Sequence, residues 1–379
     1  MKVLFLARDD PSILDLASGS DYHYFRAVQN NGFEVKVSGP FVEPPVLLEQ
    51  LLSRLYKRTG NRYLKFNMTT AWLASAAANQ AVKEWKPDVL FTHYQSPLVF
   101  YRGKIPCVYR TDSTFYGVQK EYPLYSKWVL DAQIWQEKRA IRHSAAIITH
   151  SEWSRRVLID YYKVPDDQIV VYPEPSALPI AIVPKEVHIQ EWKMLQAPLR
   201  LLLVGRDYRR KGVDIAIEVV HRLNAAGIQA KLIVCGTQGQ EDEFVRFVGP
   251  FKKTIPEQLE QYVDLYRKAH LLIHPALFEA AGIVPGEAAA FGTPTITNDA
   301  GGLGTTVKDG VSGIVLPKKS SPEVYVDAIT ALAKDPERYY ALCQMARERY
   351  EHELNWTVVD KRFGEIMRQV VERQRSEKG

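Results

Sequence analysis

Apolar strands alternate with helix-like segments along the chain, and the pattern begins once near residue 2 and again near residue 199. This alternation limits the possible folds more strongly than any other feature of the sequence. The run "KVLFLA" (2–7) leads through a polar loop into "YHYFRAVQNNG" (22–32) and then "FEVKVSG" (33–39). The same order begins again with "LRLLLVG" (199–205). Strands separated by helices form parallel sheets, because a parallel pair needs a long crossover connection. We therefore expect an α/β protein with two Rossmann-like, doubly wound domains.

The boundary between these domains is predicted from a proline-rich segment. After the strands "DVLFTH", "PCVYRT" and "AAIITHS", four prolines in "VYPEPSALPIAIVPKEVH" break all periodicity. We predict a first domain at 1–180, a second at 196–350, and a terminal helix at 357–379 that packs back on the first. Such domains are expected to face each other across a cleft at the carboxyl ends of their strands, where open α/β sheets bind ligands.

Composition excludes several classes of protein. With 46% apolar and 25% charged residues the chain is globular, and its net charge of +5 is too small to indicate a nucleic-acid partner. No apolar run reaches the roughly 18 residues of a membrane span, and the N-terminus does not match a signal peptide. Cys107, Cys235 and Cys343 have neither zinc-site nor disulfide spacing, so we expect a cytoplasmic location.

One basic cluster lies in segment 51–66, where charged residues alternate with leucines and a tyrosine. Its basic residues are Arg54, Lys57, Arg58, Arg62 and Lys65. Such a mixture can bind peripherally to an anionic membrane surface. Gly60 interrupts any single amphipathic helix, which favours a solvated helical face beside an acceptor cleft. Both interpretations stay open at this point.

A basic loop, "GRDYRRKG", follows the first strand of the second half. Arg206 and Lys211 are five residues apart and precede a helix that begins near Gly212. Two cations and the free N–H groups of a helix start suit a diphosphate. Arg209 and Arg210 are interpreted as surface residues without a specific partner.

The segment "LFEAAGIVPGEAAAFGTPTITNDAGG" (277–302) sets two glutamates around small residues and a proline. Glycine and proline weaken a helix interior by about 1 and 3 kcal/mol, so the segment predicts a loop that enters a helix. Pro285 suits the first turn, which would place Glu287 in that turn and Glu279 in the loop. Carboxylates accept hydrogen bonds from hydroxyl groups, so these residues can bind sugar and ribose around a phosphate. Taken alone, the pair is better interpreted as a helix-dipole stabiliser, Glu287, and an exposed loop acid, Glu279.

Together these motifs resemble the retaining glycosyltransferases of family GT4. The resemblance covers "VGRDYRRKG", "IVCGTQG", the segment from Leu271 to Pro317 with its two glutamates separated by seven residues, and "LNWTVVDKRF". It implies the GT-B fold and a nucleoside diphosphate sugar as donor. A UDP-sugar is favoured, GDP-mannose comes second, and the acceptor is left open.

The resemblance also implies roles for individual residues. Arg206 and Lys211 would bind the donor diphosphate, Glu279 the transferred sugar and Glu287 the ribose. The donor-binding set is Gly205, Arg206, Lys211, Gly236, Glu279, Ala280, Ala281, Gly282, Ile283 and Glu287, in which Glu279, Arg206 and Lys211 are catalytic.

The first half matches the family less well. Gly19 is a single glycine where a glycine-rich loop normally meets the donor phosphate. In "RTDST", Thr111 replaces the usual histidine and Asp112 retains the acid. His93 can supply the missing imidazole or be merely structural. These four residues are assigned to the sugar or acceptor side.

The implied reaction moves a sugar to an acceptor hydroxyl with retention at the anomeric carbon. We expect same-face attack assisted by a donor phosphate oxygen, with no metal or other cofactor, because preorganised cations can stabilise the departing diphosphate. The sequence contains no Asp-X-Asp motif. Two alternatives are a catalytically weak sugar-nucleotide-binding protein of this fold and a nucleotide-sugar epimerase or phosphorylase. No GxGxxG motif follows either first strand, which argues against an oxidoreductase.

Overall fold

The computed structural model describes residues 1–14, 16–39, 51, 53–54, 67–193 and 195–377. Two compact units divide the chain: Met1–Tyr172 with Val359–Gly379, and Pro173–Val358. Each unit is built around a parallel sheet of six strands with helices between them. The prediction of two Rossmann-like α/β domains is confirmed.

In the first unit the sheet has the order β2-β1-β3-β4-β5-β6. Its strands are β1 Lys2–Leu6, β2 Glu34–Ser38, β3 Val89–Thr92, β4 Cys107–Arg110, β5 Ser144–Thr149 and β6 Ile169–Val171. Its first helices are α1 Ser20–Asn30, α2 Met68–Trp85, α3 Phe115–Glu121, α4 Lys127–Arg142 and α5 Glu152–Asp160. The strand order changes direction at β1, so the loops after β1 and β3 come together at the carboxyl edge of the sheet.

The second unit has the sheet order β12-β11-β10-β7-β8-β9. Its strands are β7 Leu199–Val204, β8 Ala230–Cys235, β9 Val245–Val248, β10 Leu271–His274, β11 Thr295–Asn298 and β12 Gly313–Leu316. The remaining α-helices in the described part of the chain are α6 Ile189–Trp192, α7 Val213–Ala225, α8 Pro256–Lys268, α9 Ile283–Ala289, α10 Leu303–Thr306, α11 Pro322–Ala333, α12 Pro336–His352 and α13 Trp356–Ser376. Here β7 and β10 are neighbours, and the strand order changes direction between them. The loops that follow these two strands therefore lie side by side.

The terminal helix α13 contributes to the core of the first unit from Val359 onward. The ring of Phe363 lies 5.3 Å from that of Tyr24 and 5.0 Å from that of Phe91, centroid to centroid. Asn31 donates a hydrogen bond of 2.7 Å to the carbonyl of Asp360. The aromatic contacts bury a large apolar area, which attaches the end of the chain to the N-terminal sheet.

Lys193 anchors the end of α8 inside the second unit. Its side-chain nitrogen is fully buried and lies within hydrogen-bond distance of three carbonyls, those of Tyr266 (2.7 Å), Ala269 (2.8 Å) and Arg267 (3.0 Å), and of the Thr293 hydroxyl (2.7 Å). Carbonyls in the last turn of a helix have no partner within the helix, and a cation there also suits the helix dipole. This lysine thereby fixes a helix whose tyrosines reach the candidate site.

A buried carboxyl group lies in the first unit, where Glu137 projects from α4. It is 3% exposed and accepts hydrogen bonds from the Tyr162 hydroxyl and, at 2.9 Å, from the Phe115 amide. Burial raises the pKa of Glu137 to about 8, and the two donors only partly offset this effect.

This pKa predicts a pH-dependent stability of the first unit. Because the folded pKa lies above the unfolded value of about 4.3, the folded state binds more protons between these values, and stability falls as pH rises through that window. Glu137→Gln does not titrate. Between pH 5 and pH 8, the melting temperature of wild type should therefore fall more than that of Glu137→Gln. Asp131→Asn, exposed on the same helix, serves as the control, and equal losses in Glu137→Gln and wild type would contradict the assignment.

Candidate functional site

The loop after β7 directs Lys211 across the carboxyl edge of the second sheet. Gly205 leaves the necessary room, since a Cβ atom at this position would lie 2.5 Å from Cγ of Lys211. Asp207 shapes the loop by accepting a hydrogen bond of 2.9 Å from the Arg210 amide. The Arg210 carbonyl in turn accepts a hydrogen bond of 2.8 Å from the amide of Leu277. The loops after β7 and β10 are thus bonded to each other through their backbones.

Glu279 forms the centre of a charged cluster at this position. Its Oε2 atom accepts hydrogen bonds from Nζ of Lys211 and from Nη1 of Arg210, the latter at 3.1 Å. Nε2 of His274 lies 3.7 Å from the same oxygen. The Glu279 side chain is 17% exposed and that of Lys211 is 9% exposed. The structure therefore brings together Glu279 and Lys211, two residues that the sequence assigned to one site.

The charges in this cluster hold the carboxyl group ionised. Burial opposes ionisation of Glu279, but the positive charges of Lys211 and Arg210 and the nearby His274 outweigh burial and lower its pKa well below the usual range. Burial and the Lys211 charge lower the pKa of His274 to about 4, so its imidazole is neutral at pH 7. Arg206 is exposed, and no residue described in the structure pairs with its guanidinium. Asp207 lies 3.8 Å from Nε of Arg210, so the carboxylates of Glu279 and Asp207 match the charges of Lys211 and Arg210. The exposed Arg206 of the same loop adds one positive charge.

The contact between Arg210 and Glu279 was not predicted from the sequence. Arg210 was interpreted as a surface residue, yet its guanidinium also donates a hydrogen bond of 3.1 Å to the Phe278 carbonyl. Four basic residues in one short loop do not reveal which side chain turns inward. The adjacent Arg209 is exposed, as expected.

The glycine pair after β11 fixes the loop that carries Glu279. Gly301 has a left-handed φ of 66°, and a Cβ atom there would lie 2.2 Å from the Glu279 carbonyl oxygen. The amide of Gly302 donates to that oxygen at 2.8 Å. In the described part of the chain, the amides of Ala280, Ala281 and Gly282 donate to no other residue. Ala281 and Gly282 are buried, and binding of a ligand by these N–H groups stays a prediction. Ile283 follows them as the first residue of α9.

The expected position of Glu287 in its helix was wrong. Helix α9 begins at Ile283, so Pro285 is its third residue and Glu287 lies in the second turn. The first amides of a helix have no partner within it, so proline is tolerated at several starting positions and does not fix the first residue. Gly282, with a φ of 86°, sets the start instead.

The Glu287 carboxylate is almost completely enclosed. The side chain is 1% exposed, and Oε2 is contacted by the hydroxyls of Tyr262 at 2.6 Å and Tyr266 at 2.7 Å. Oε1 accepts a hydrogen bond from Nζ of Lys253. None of these three partners was predicted. The one signal in the sequence is the pair of tyrosines four residues apart on α8, which places both on one helix face.

Gly236 and Gly19 are glycines with left-handed backbones. Gly236 follows β8 with a φ of 99°, and Gly19 precedes α1 with a φ of 84°. Gly236 lies beside Gly205, because a Cβ atom on it would be 3.1 Å from the Gly205 carbonyl oxygen. Gly236 therefore belongs to the same sheet edge as the basic loop.

Two of the predicted residues of the first unit, His93 and Asp112, contact a buried arginine. Arg110, at the end of β4, approaches Nε2 of His93 at 2.5 Å, Nε2 of His150 at 2.8 Å and Oδ1 of Asp112 at 2.6 Å. The other ring nitrogen of His93 lies 3.2 Å from Oδ1 of Asp21. Both ring nitrogens of His93 are thus engaged within the first unit.

Thr111 does not join this network. It is buried, and its hydroxyl donates to the Ser113 carbonyl at 2.7 Å. Arg110 itself was missed, although a charged residue at the end of the apolar strand "PCVYRT" is an unusual feature that can indicate a polar site.

Most of the basic segment 51–66 lies outside the described residues, which include only Leu51, Ser53 and Arg54 from it. Within the parts that are described, no helix combines the length and apolar character needed to cross a membrane.

Two family models match the chain in succession. The model described as "Glycosyltransferase Family 4" matches residues 22–175, and the model described as "Glycosyl transferases group 1" matches residues 185–349. The chain belongs to the GT4 glycosyltransferases. It is an enzyme of the hexosyltransferase class that uses a nucleotide-sugar donor.

Relatives and solved structures agree with this membership. Glycogen synthase of Mycobacterium tuberculosis is 26% identical over 305 residues, with 73% of this chain and 67% of that protein covered. D-inositol 3-phosphate glycosyltransferase 1 of Catenulispora acidiphila is 35% identical over 157 residues, covering 38% of this chain and 37% of that protein. The chain thus spans at most about two thirds of the length of these relatives.

Two solved structures show the same fold. Sucrose-phosphate synthase from Thermosynechococcus elongatus superposes with a TM-score of 0.66 at 19% identity, covering 97% of this chain and 98% of that chain. Anabaena Alr3699/HepE in complex with UDP-glucose has a TM-score of 0.63 at 16% identity, with 97% and 100% covered. The expected GT-B fold is confirmed.

The ion pair at Glu279 predicts a coupled effect on stability. Lys211→Met should destabilise the second unit by about 1–3 kcal/mol, because it leaves a partly buried carboxylate short of a donor. The double variant Lys211→Met/Glu279→Gln should recover part of this loss in chemical denaturation, since the uncompensated charge is gone. Arg209→Met is the control for removal of a basic side chain from the same loop. Additive losses in the double variant would show that the two residues are not coupled.

Proposed function

We propose that the protein transfers a sugar from a nucleoside diphosphate sugar to an acceptor hydroxyl with retention at the anomeric carbon. The observation that carries the proposal is the Glu279 carboxylate, held by Lys211 and Arg210 at the point where the strand order of the second sheet changes direction. Open α/β sheets bind nucleotides at such points. Glu279 would accept hydrogen bonds from the transferred sugar, and Glu287 from the ribose.

The net positive charge of this cluster supports binding of a diphosphate. Lys211 and the exposed Arg206 would contact the phosphate oxygens, assisted by the free amides of Ala280, Ala281 and Gly282. Negative charge develops on the diphosphate as the sugar leaves, and fixed donors stabilise such charge without reorganisation. The proposed mechanism therefore needs no metal ion, in agreement with the lack of an Asp-X-Asp motif.

For the donor we favour a UDP-sugar, with GDP-mannose second. The support comes from structures of Anabaena Alr3699/HepE, which were determined with UDP-glucose and with UDP. Thermal-shift screening of UDP, GDP and ADP with their sugar conjugates would test this choice, because a ligand that binds the folded state raises its apparent stability. A shift with ADP-glucose alone would contradict it.

In the first unit, Asp112 is the residue that we propose for contact with a sugar or acceptor hydroxyl. Its side chain is 38% exposed, against 18% for His93, and Arg110 holds one of its oxygens. Thr111 and Gly19 are proposed for the same side on the family resemblance alone. The acceptor hydroxyl would attack on the face from which the diphosphate departs, and a phosphate oxygen would take its proton.

A cytoplasmic location is also proposed, because the three cysteines are unpaired and buried. Peripheral membrane contact through segment 51–66 rests on its basic and apolar sequence. We propose no nucleic-acid partner.

The two cations are expected to act on the diphosphate. Arg206→Ala or Lys211→Ala should slow transfer by about 100-fold or more, since each would stabilise the departing phosphates. Arg209→Ala provides the matched control and should change little. Binding calorimetry in which Arg209→Ala is as damaging as Arg206→Ala would refute the choice of residues.

Substitutions of Glu279 and Glu287 should have different effects. Glu287→Ala should weaken binding of both the sugar nucleotide and the bare nucleoside diphosphate, because ribose does not react. Glu279→Ala should lower turnover at saturating donor while affinity for the bare nucleoside diphosphate changes little, because its partner is the sugar. Titration with nucleoside diphosphate and turnover assays separate the two. Equal loss of diphosphate affinity would rule out this division of roles, and donor cleavage without any acceptor product would favour an epimerase or hydrolase.

A further inference from the structure

The two oxygens of the Glu287 carboxylate have different surroundings. Oε2 is contacted by two buried tyrosine hydroxyls, whereas Oε1 accepts from the ammonium of Lys253. The Glu287 side chain is 1% exposed, but that of Lys253 keeps 25% of its surface exposed. A ligand that reaches Glu287 from the side of the partly exposed Lys253 therefore contacts Oε1 and the Lys253 ammonium together.

The tyrosines keep Oε2 occupied. Burial and the charge of Glu287 raise the pKa values of Tyr262 and Tyr266 well above the ordinary value, so both hydroxyls stay protonated. The two hydroxyls also lie 2.8 Å from each other. Together with their contacts to Oε2 this makes three short oxygen–oxygen contacts, which share the two hydroxyl protons. Because Lys193 anchors the end of α8, these side chains project from a fixed helix.

Lys253 is oriented by two separate contacts. Besides its hydrogen bond to Oε1, its ammonium lies 5.2 Å from the centre of the Tyr262 ring. An ammonium above an aromatic face is held by the negative charge of that face. The neighbouring Lys252 is exposed, and its hydrogen bonds are made by its backbone: the amide donates to Oε1 of Gln258 at 2.8 Å and the carbonyl accepts from the Ile255 amide at 3.2 Å. Of these two adjacent lysines, Lys253 is the one directed to the candidate site.

We propose that Lys253 and Oε1 of Glu287 together bind one ribose hydroxyl of the donor nucleotide. The hydroxyl donates to Oε1 and accepts a hydrogen bond from Nζ of Lys253. A hydroxyl can fill both roles, whereas an ammonium only donates and a carboxylate only accepts. A carboxylate with two free oxygens could bind two neighbouring hydroxyls, but here the tyrosines occupy one oxygen and the lysine supplies the second ribose contact. This inference rests on the proposed binding of a nucleoside diphosphate sugar.

Calorimetric titration of the full chain with UDP and, in parallel, GDP tests the inference. Lys253→Met should weaken binding of the nucleotide that wild type prefers by about 10-fold or more, the effect typical of losing a charge-assisted hydrogen bond. Lys252→Met, the matched control, should bind like wild type. With the 2′,3′-dideoxy form of the same nucleotide, Lys253→Met and wild type should bind equally, because the hydroxyl is missing from both complexes. Lys253→Arg, which retains a charged donor, should recover part of the affinity.

Other patterns would overturn the inference. Unchanged or tighter binding by Lys253→Met would show that the lysine merely neighbours or blocks the ribose position. An equal loss with the dideoxy nucleotide would assign Lys253 to the base or the phosphates, and a matching loss with inorganic diphosphate would narrow this to the phosphates. Wild type that binds neither UDP, GDP nor ADP would contradict the proposed function itself.

Discussion

The hydrogen-bonded ion pair between Lys211 and Glu279 is the interaction on which the donor side of this protein depends. It joins the loops that follow β7 and β10, two neighbouring strands between which the order of the sheet changes direction. Parallel strands deliver their carboxyl ends to one edge, so residues that are 68 positions apart in the chain meet there. Gly205, Gly301 and the backbone bond between Arg210 and Leu277 serve this approach of the two loops.

The same edge holds two carboxyl groups in different surroundings. Glu279 is balanced by two cations, whereas Glu287 is enclosed by two hydroxyls and a single ammonium. Burying a charge without partners is costly, so each arrangement stabilises its carboxylate in the folded state. The partially exposed cations beside each glutamate are also the groups that an anionic or hydroxylated ligand can reach.

Strand patterns predicted the central strands and the edge strand β2, but not the edge strands β6 and β9. Runs such as "LRLLLVG" are apolar throughout, because both faces of a parallel sheet are covered. The strands Ile169–Val171 and Val245–Val248 were not predicted, since they are short and partly exposed and so lack a long apolar run. Glu279 and Lys211 could be placed in one site from their motifs. Arg210, Lys253 and the tyrosines of α8 could not, because which side chain turns inward depends on the packing of distant elements.

The central claim is that fixed cations and amides in the second unit stabilise a diphosphate that departs on the face where the acceptor attacks. Proton NMR of the product, recorded soon after mixing enzyme, acceptor and an α-linked UDP-sugar in the presence of a chelator, tests this most directly. We expect a newly formed α-linkage at an undiminished rate. A β-linked product would contradict same-face attack, and loss of transfer in the chelator would contradict stabilisation by the protein's own charges.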